Sequence, residues 1–147
     1  MYNTTRQANI LIAEDDADDR TLLRDAFSLN GRKEGIQFVN DGQELLNFLA
    51  DRKNEDQLPD LILMDLNMPR KDGREALKEI KNNPLLAQIP VIVMSTSRSE
   101  DDIASTYQLG VNSYIIKPSN FQTLVSSIKN LCSFWLNTST LPLKNEY

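Results

Sequence analysis

The chain contains the segment Asp60-Leu61-Ile62-Leu63-Met64-Asp65, which is followed by Leu66-Asn67-Met68-Pro69. Four consecutive apolar residues without polar alternation are typical of a strand that is buried on both faces of a parallel sheet. Asp65 comes directly after this strand, at its carboxyl end, and open parallel sheets hold their ligands at that edge. The segment therefore predicts a parallel α/β sheet with an acidic ligand site at one edge.

Similar apolar segments recur along the chain and alternate with longer amphipathic segments. This alternation is typical of a parallel sheet that is covered by helices. The second apolar segment, Ile36-Gln37-Phe38-Val39, is the weakest and predicts an edge strand. We expect five strands, at about residues 9–13, 36–39, 60–64, 90–95 and 112–116.

Three of the intervening helices have recognisable first turns. In each, a short polar side chain can accept a hydrogen bond from an early backbone N–H, and an acid three residues later favours the positive end of the helix dipole. These capping pairs are Asp41 with Glu44, Asp72 with Glu75, and Ser99 with Asp102.

Composition limits the classes of function. A chain of 147 residues, 40% of them hydrophobic, can bury one independent core, and its net charge of −5 argues against a nucleic-acid surface, which needs a basic patch. No apolar run approaches the roughly 20 residues that span a bilayer. The single Cys132 and the polar first residues indicate a cytoplasmic protein. Because the chain has no histidine, a histidine base and a histidine metal ligand within it are excluded.

Carboxylates follow two of the predicted strands. Glu14 and Asp15 follow the first strand and Asp65 follows the third, so all three are expected at one sheet edge. A cluster of carboxylates is unfavourable unless a cation neutralises it, and an all-oxygen ligand set suits Mg²⁺. The sequence therefore predicts a magnesium site.

The same edge carries groups that suit phosphoryl transfer. The Asp65 carboxylate can attack phosphorus as a nucleophile, and the Lys117 ammonium, after the fifth strand, can stabilise charge on the transferring oxygens. The hydroxyl of Ser95, at the end of the fourth strand, can donate a hydrogen bond to a phosphate oxygen. We expect Asp65, Lys117 and Ser95 to carry the chemistry.

Four segments occur together in this order: Ile10-Leu11-Ile12-Ala13-Glu14-Asp15-Asp16, Pro59 to Pro69 with Asp72-Gly73, Pro90-Val91-Ile92-Val93-Met94-Ser95, and Tyr114-Ile115-Ile116-Lys117-Pro118. Together they resemble the receiver domain of two-component response regulators over residues 8–136, which leaves 137–147 as a C-terminal extension. The resemblance implies a flavodoxin-like, doubly wound sheet of five parallel strands in the order 2-1-3-4-5, with five helices.

The resemblance also implies a role for each matching residue. Asp65 is the phospho-acceptor, Glu14 and Asp15 hold Mg²⁺ together with Asp65, and Asn67 lends its backbone carbonyl to the metal. Lys117 contacts the phosphate.

Two further positions match the switch residues of the family. Ser95, rather than Thr96, falls on the Ser/Thr switch position, and Tyr114 falls on the aromatic one. Phosphorylation is expected to reshape the face formed by the fourth helix, fifth strand and fifth helix. The implied partners are a sensor histidine kinase and a downstream protein or phosphotransfer protein.

A finer resemblance involves the loop 52–58 and the extension from Cys132 to Pro142. These look like stand-alone regulators that are paired with phytochrome-type histidine kinases, some of which dimerise through that end. The residues alone leave two alternatives for the apolar end of the last helix. Either Leu141-Pro142-Leu143 folds back over it, or it forms part of a homodimer face with the fourth helix, fifth strand and fifth helix.

Two other classes of function use similar residues. A Mg²⁺-dependent phosphatase with an aspartate nucleophile needs a second Asp two residues later, where this chain has Asn67. A phosphorylation-silent interaction module would not need the full set of site residues. We therefore expect a protein that catalyses only its own phosphorylation and dephosphorylation, and that signals by protein contact.

Overall fold

The computed structural model describes residues 8–52 and 58–142. Helices and strands alternate along it. They follow in the order β1 (Ile10–Ala13), α1 (Ala17–Leu29), β2 (Ile36–Val39), α2 (Gly42–Ala50), β3 (Leu61–Met64), α3 (Gly73–Asn82), β4 (Val91–Ser95), α4 (Glu100–Gln108), β5 (Ser113–Ile116) and α5 (Phe121–Cys132). Two short 3₁₀ turns, Lys33–Gly35 and Leu86–Gln88, precede β2 and β4.

The five strands form one parallel sheet in the order β2-β1-β3-β4-β5, which confirms the predicted topology. All five strands end where the sequence predicts. Four of them begin one residue later than predicted. At two of these starts the preceding residue makes no backbone N–H bond to the next strand: Asn9 donates its N–H to the Asp60 carboxylate at 2.8 Å, and Pro90 has no N–H.

Each face of the sheet buries its own apolar cluster. Along β1, Leu11 and Ala13 pack with α2 and α3, whereas Ile10 and Ile12 pack with α1 and α5. The three central strands are buried throughout, while β2 is an edge strand, as predicted, and is largely half-exposed. The two clusters hold the carboxyl ends of the central strands in fixed register.

All three predicted capping pairs are present. The N–H of Glu44 donates to Asp41 Oδ1 at 2.8 Å, and Asp72 forms a reciprocal capping box with Glu75. The Asp102 N–H donates to Ser99 Oγ at 3.3 Å. These caps fix where α2, α3 and α4 begin, directly after the loops that surround the sheet edge.

Helix α5 continues as a π-helical segment, Ser133–Thr138, within which the predicted domain boundary at residue 136 falls. Trp135 and Leu136 pack against the α1–α5 cluster, whereas Phe134 remains 51% exposed. Leu143 lies outside the described residues, so the fold-back of the tail and the dimer face both stay predictions. No helix in the described part of the chain has the length and apolarity to cross a membrane.

Candidate functional site

Parallel strand register brings the predicted site residues to one edge of the sheet. The Asp65 N–H donates to the Ala13 carbonyl at 3.1 Å, which places Asp65 beside the end of β1. The Lys117 N–H donates to the Ser95 carbonyl at 2.8 Å, which places the end of β5 beside that of β4. Backbone pairing alone therefore brings these residues into one neighbourhood.

Glu14, Asp15 and Asp65 form an acidic cluster at this edge. One carboxylate oxygen from each lies within 4.8 Å of the others. Glu14 is buried, Asp65 is half-buried and Asp15 is exposed. The cluster is therefore anchored in the protein on one side and open to solvent on the other. Burial raises the pKa of Glu14, more than the hydrogen bond from Lys117 lowers it. An all-oxygen set of this kind fits a small divalent cation.

Lys117 neutralises part of this charge. Its Nζ lies 2.9 Å from Glu14 Oε1, from Asp65 Oδ2 and from Asp19 Oδ2. Burial lowers the pKa of the Lys117 ammonium, but the three carboxylates outweigh burial and the pKa is raised overall. The lysine is therefore a permanent cation that is aimed at the Asp65 carboxylate.

Asp19 is a contact of Lys117 that the sequence pattern does not reveal, because the helix dipole alone explains an acid in the first turn of a helix. It does lie in the first turn of α1, where its N–H donates to Asp16 Oδ1 at 2.9 Å. Its side chain nevertheless turns to Lys117. The sequence signal was the start of α1 directly after the Glu14–Asp15 pair, but no local pattern shows which way the Asp19 side chain points.

Asn67 lies two residues after Asp65, in the loop that follows β3. Its backbone N–H donates to Asp65 Oδ1 at 3.2 Å, so the loop also orients the carboxylate. This bond holds one Asp65 oxygen while Lys117 holds the other. The role of the Asn67 carbonyl as a metal ligand stays a prediction.

The loop after β3 is itself tied to α2. Arg70 donates from Nε to Asp41 Oδ2 at 2.8 Å and from Nη2 to Asp41 Oδ1 at 3.1 Å. Arg70 has φ of 62°, in the left-handed region that is unusual for a residue with a side chain. The sequence did not reveal this ion pair, because Asp41 reads as a helix cap and also serves as one.

Ser95 and Tyr114, on the neighbouring strands β4 and β5, both contact the loop after β4. Ser95 is fully buried, and its Oγ accepts a hydrogen bond from the Ser97 N–H at 3.2 Å. The half-buried Tyr114 donates its hydroxyl to the Ser97 carbonyl at 2.9 Å. Thr96 is exposed. The structure thus brings Glu14, Asp15, Asp65 and Lys117 together, while both predicted switch residues converge on Ser97.

Comparison with known proteins agrees with this geometry. A family model described as "Response regulator receiver domain" matches residues 10–129. Response regulator Rcp1 of Synechocystis sp. is 41% identical over 135 residues, covering 90% of this chain and 92% of Rcp1.

Two solved structures have similar folds over nearly the whole chain. The phosphorylated cyanobacterial phytochrome response regulator RcpA has a TM-score of 0.85 and 42% identity, covering 94% of this chain and 100% of RcpA. The Mn²⁺-bound form of Rcp1 has a TM-score of 0.81 and 40% identity, covering 92% of this chain and 99% of Rcp1.

Proposed function

Because this chain belongs to the response regulator receiver domain family, we propose that it accepts a phosphoryl group on Asp65 from a sensor histidine kinase. The observation that carries this proposal is the position of Lys117 Nζ, 2.9 Å from Asp65 Oδ2 and beside the Glu14–Asp15 pair. A nucleophilic carboxylate, a fixed cation and an acidic cluster for a metal are the three parts that aspartyl phosphorylation requires.

In the transfer, an Asp65 carboxylate oxygen attacks phosphorus and forms the O–P bond as the P–N bond of the kinase phosphohistidine breaks. The leaving imidazole keeps the electron pair and takes up a proton. The attack uses a lone pair of the carboxylate oxygen and needs no general base. The Lys117 ammonium donates hydrogen bonds to the phosphoryl oxygens and stabilises their charge.

We propose Mg²⁺ as the cofactor, with Glu14, Asp15, Asp65 and the Asn67 backbone carbonyl as its protein ligands. The donor chemistry supports this choice, since the three carboxylates present only oxygen atoms. A relative of this chain, Rcp1, has been solved in a Mn²⁺-bound form. When bound, the metal would neutralise charge on the phosphoryl oxygens.

Ser95 and Tyr114 are proposed to read out the modification. Ser95 is the last residue of β4, the strand next to β3. Its buried hydroxyl can turn towards a phosphoryl group on Asp65. Tyr114, on the neighbouring strand β5, contacts the same loop through the Ser97 carbonyl. A shift of Ser95 would thereby reach the face formed by α4, β5 and α5.

The partners follow from the relatives. RcpA is a cyanobacterial phytochrome response regulator, and we propose a phytochrome-type histidine kinase as the donor for this chain.

Output would pass to a downstream protein or phosphotransfer protein in the cytoplasm, by protein contact rather than through nucleic acid or membrane. A homodimer through α4, β5, α5 and the C-terminal extension, where Phe134 is exposed, is the assembly we propose. A phosphatase with Asp65 as its nucleophile would need an acid two residues later, where this chain has Asn67. This difference supports a protein that catalyses only its own phosphorylation and dephosphorylation.

The test is intact mass after incubation with Mg²⁺ and acetyl phosphate. We expect one added phosphoryl group on the wild type and on Asp25→Asn, a matched change at an exposed acid of α1, but none on the nearly isosteric Asp65→Asn. Full labelling of Asp65→Asn would place the acceptor elsewhere. Absence of labelling in the wild type, with acetyl phosphate and with a phytochrome-type kinase, would favour a silent interaction module.

A further inference from the structure

Lys117 has one carboxylate partner outside the acidic cluster. Its ammonium has three N–H donors, and they have three acceptors at 2.9 Å, namely the carboxylates of Glu14, Asp65 and Asp19. Glu14 and Asp65 belong to the cluster whose oxygens lie within 4.8 Å of one another, whereas Asp19, among the described acids, is not a member of it. The partners of the lysine are therefore of two kinds.

The start of α1 does not account for the direction of the Asp19 side chain. Asp16 caps this helix by accepting the Asp19 N–H at 2.9 Å. Asp18, in the same turn, offers the same charge to the helix dipole while its side chain is exposed. The Asp19 carboxylate instead binds the Lys117 ammonium, which is only 14% exposed and lies 98 residues further along the chain. This bond needs an explanation beyond capping and the dipole.

A divalent cation in the acidic cluster would affect the two kinds of partner differently. Glu14 and Asp65 are proposed ligands of Mg²⁺, so their charge would be shared between the metal and Lys117. A metal ion beside the ammonium would also repel it, because both are cations. The net attraction of Glu14 and Asp65 for Lys117 would fall even where their oxygens keep both contacts. Asp19 would remain a partner of the lysine alone.

We propose that Asp19 is a positioning residue that keeps the Lys117 ammonium beside Asp65 when Mg²⁺ occupies the acidic cluster. The inference rests on the proposed function, which needs the metal and the lysine at the acceptor at the same time. Asp19 suits this task because it lies on α1, apart from the loop that carries Asp65, and its backbone is held by the bond to Asp16. Loss of Asp19 should therefore loosen the lysine chiefly when the metal is bound.

The first measurement follows the Lys117 ammonium by NMR in the full chain with isotope-labelled lysine, assigned with Lys117→Arg. In the wild type we expect its signal to stay distinct from those of exposed lysines at saturating Mg²⁺. In Asp19→Ala the signal should lie near its wild-type position without metal, because Glu14 and Asp65 still accept from it, and should move towards the exposed lysines as Mg²⁺ is added. A merely structural role of Asp19 would change the signal equally with and without metal.

The second measurement is the rate of phosphorylation by acetyl phosphate, followed by intact mass. Mg²⁺ is kept at saturation for each variant, so that differences in metal affinity do not enter. We expect Asp19→Ala to be slower than the wild type by roughly threefold to tenfold, the scale of one partly exposed charged hydrogen bond.

Two further variants separate positioning from a simple change of charge. Asp18→Ala removes the same charge from the same helical turn and should keep both the rate and the Lys117 signal of the wild type. Asp19→Glu retains the charge at the original position and should recover part of both.

The results that would overturn the proposal differ from those that would overturn the proposed function. Asp19 has no positioning role if Asp19→Ala matches Asp18→Ala in rate and in its Lys117 signal with Mg²⁺, or if Mg²⁺ releases the wild-type lysine as fully. A faster rate in Asp19→Ala would show that Asp19 competes with Asp65 for the lysine. In these cases the wild type still takes up a phosphoryl group and the proposed function stands. If the wild type takes up none from acetyl phosphate or a histidine kinase, both proposals fail together.

Discussion

The two loops that border the site are held in different ways. The loop after β3, residues 65–72, has backbone bonds to its neighbours in addition to the Arg70–Asp41 pair: the Gly42 N–H donates to the Lys71 carbonyl at 2.9 Å, and the Gly73 N–H donates to the Leu66 carbonyl. The loop after β4, residues 96–99, is held by side chains, namely the hydroxyls of Ser97 and Tyr114 and the carboxylate of Asp102.

This difference suits the proposed tasks of the two loops. Close backbone contacts at Gly42 and Gly73 leave no space for a side chain, so we expect the loop that carries Asp65 and Asn67 to be a fixed platform. Side-chain hydrogen bonds contribute only about 1 kcal/mol each and can exchange partners, so the loop that carries Ser97 can respond to a new ligand. Backbone contacts thus border the proposed acceptor, whereas side-chain hydrogen bonds border the proposed switch residues.

The largest effect is expected from Gly42→Ala. A Cβ at this position would lie 2.2 Å from the Lys71 carbonyl oxygen, so backbone has to move, and we expect a loss of about 3 kcal/mol in the free energy of unfolding. Gly31→Ala is the control: it has φ of 76° but no atom within 4 Å of the added Cβ, and should lose only about 1 kcal/mol. Urea denaturation measures both, and equal losses would contradict the fixed platform.

Removal of one helix cap that contacts or lies in each loop should give a smaller difference in the free energy of unfolding. Asp41→Ala removes the cap of α2 and also the partner of the left-handed Arg70, and we expect a loss of about 2 kcal/mol. Ser99→Ala removes the cap of α4 alone and should cost about 1 kcal/mol. Thermal and urea unfolding of both variants test this order, which would be wrong if Ser99→Ala were the more damaging change.

The pH dependence of stability should reveal the two anchoring acids. The hydrogen bond from Arg70 lowers the pKa of Asp41, and that from Ser97 lowers the pKa of Asp102. Since a depressed pKa means that the folded state favours the charged acid, each contribution is present at neutral pH and is lost as pH falls through the depressed pKa. The stability gap between the wild type and Asp41→Asn or Asp102→Asn should therefore narrow in acid, as followed by urea midpoints at several pH values. A gap that stays constant would show that neither ion pair is coupled to folding.

The smallest effect is expected next to the switch. Thr96→Ala changes an exposed side chain and should alter the free energy of unfolding by less than about 0.5 kcal/mol, with no change in the rate of phosphorylation. Ser95→Ala, one residue earlier, removes the fully buried hydroxyl and should abolish the shift of the Tyr114 NMR signal on phosphorylation. If Thr96→Ala also abolished the shift of Tyr114 on phosphorylation, the switch role would belong to Thr96.

Much of the fold was predictable because its determinants are local. The apolar runs before Glu14 and Asp65 predicted central strands, and the capping pairs at Asp41, Asp72 and Ser99 predicted three helix starts. Residues at the carboxyl ends of parallel neighbours must share an edge, so the meeting of Asp65 with Lys117 also followed from the strand pattern.

The contacts that the sequence did not reveal are between side chains on elements far apart in the chain. Asp19 binds Lys117, Arg70 binds Asp41, and Arg74 binds Asp102. Each acid also has a sufficient local explanation as a residue of a helix start, and local patterns cannot distinguish an acid that only favours the helix dipole from one that also binds a distant cation.

Sequence thus determined the strands, the helix starts and the edge of the sheet where the acids gather, because hydrophobic period and capping act over a few residues. Tertiary structure decided which cation each acid binds and that Ser95 and Tyr114 share Ser97. The physical reason is that these bonds depend on the packing of helices against the sheet, which sets distances between side chains that the chain separates by many residues.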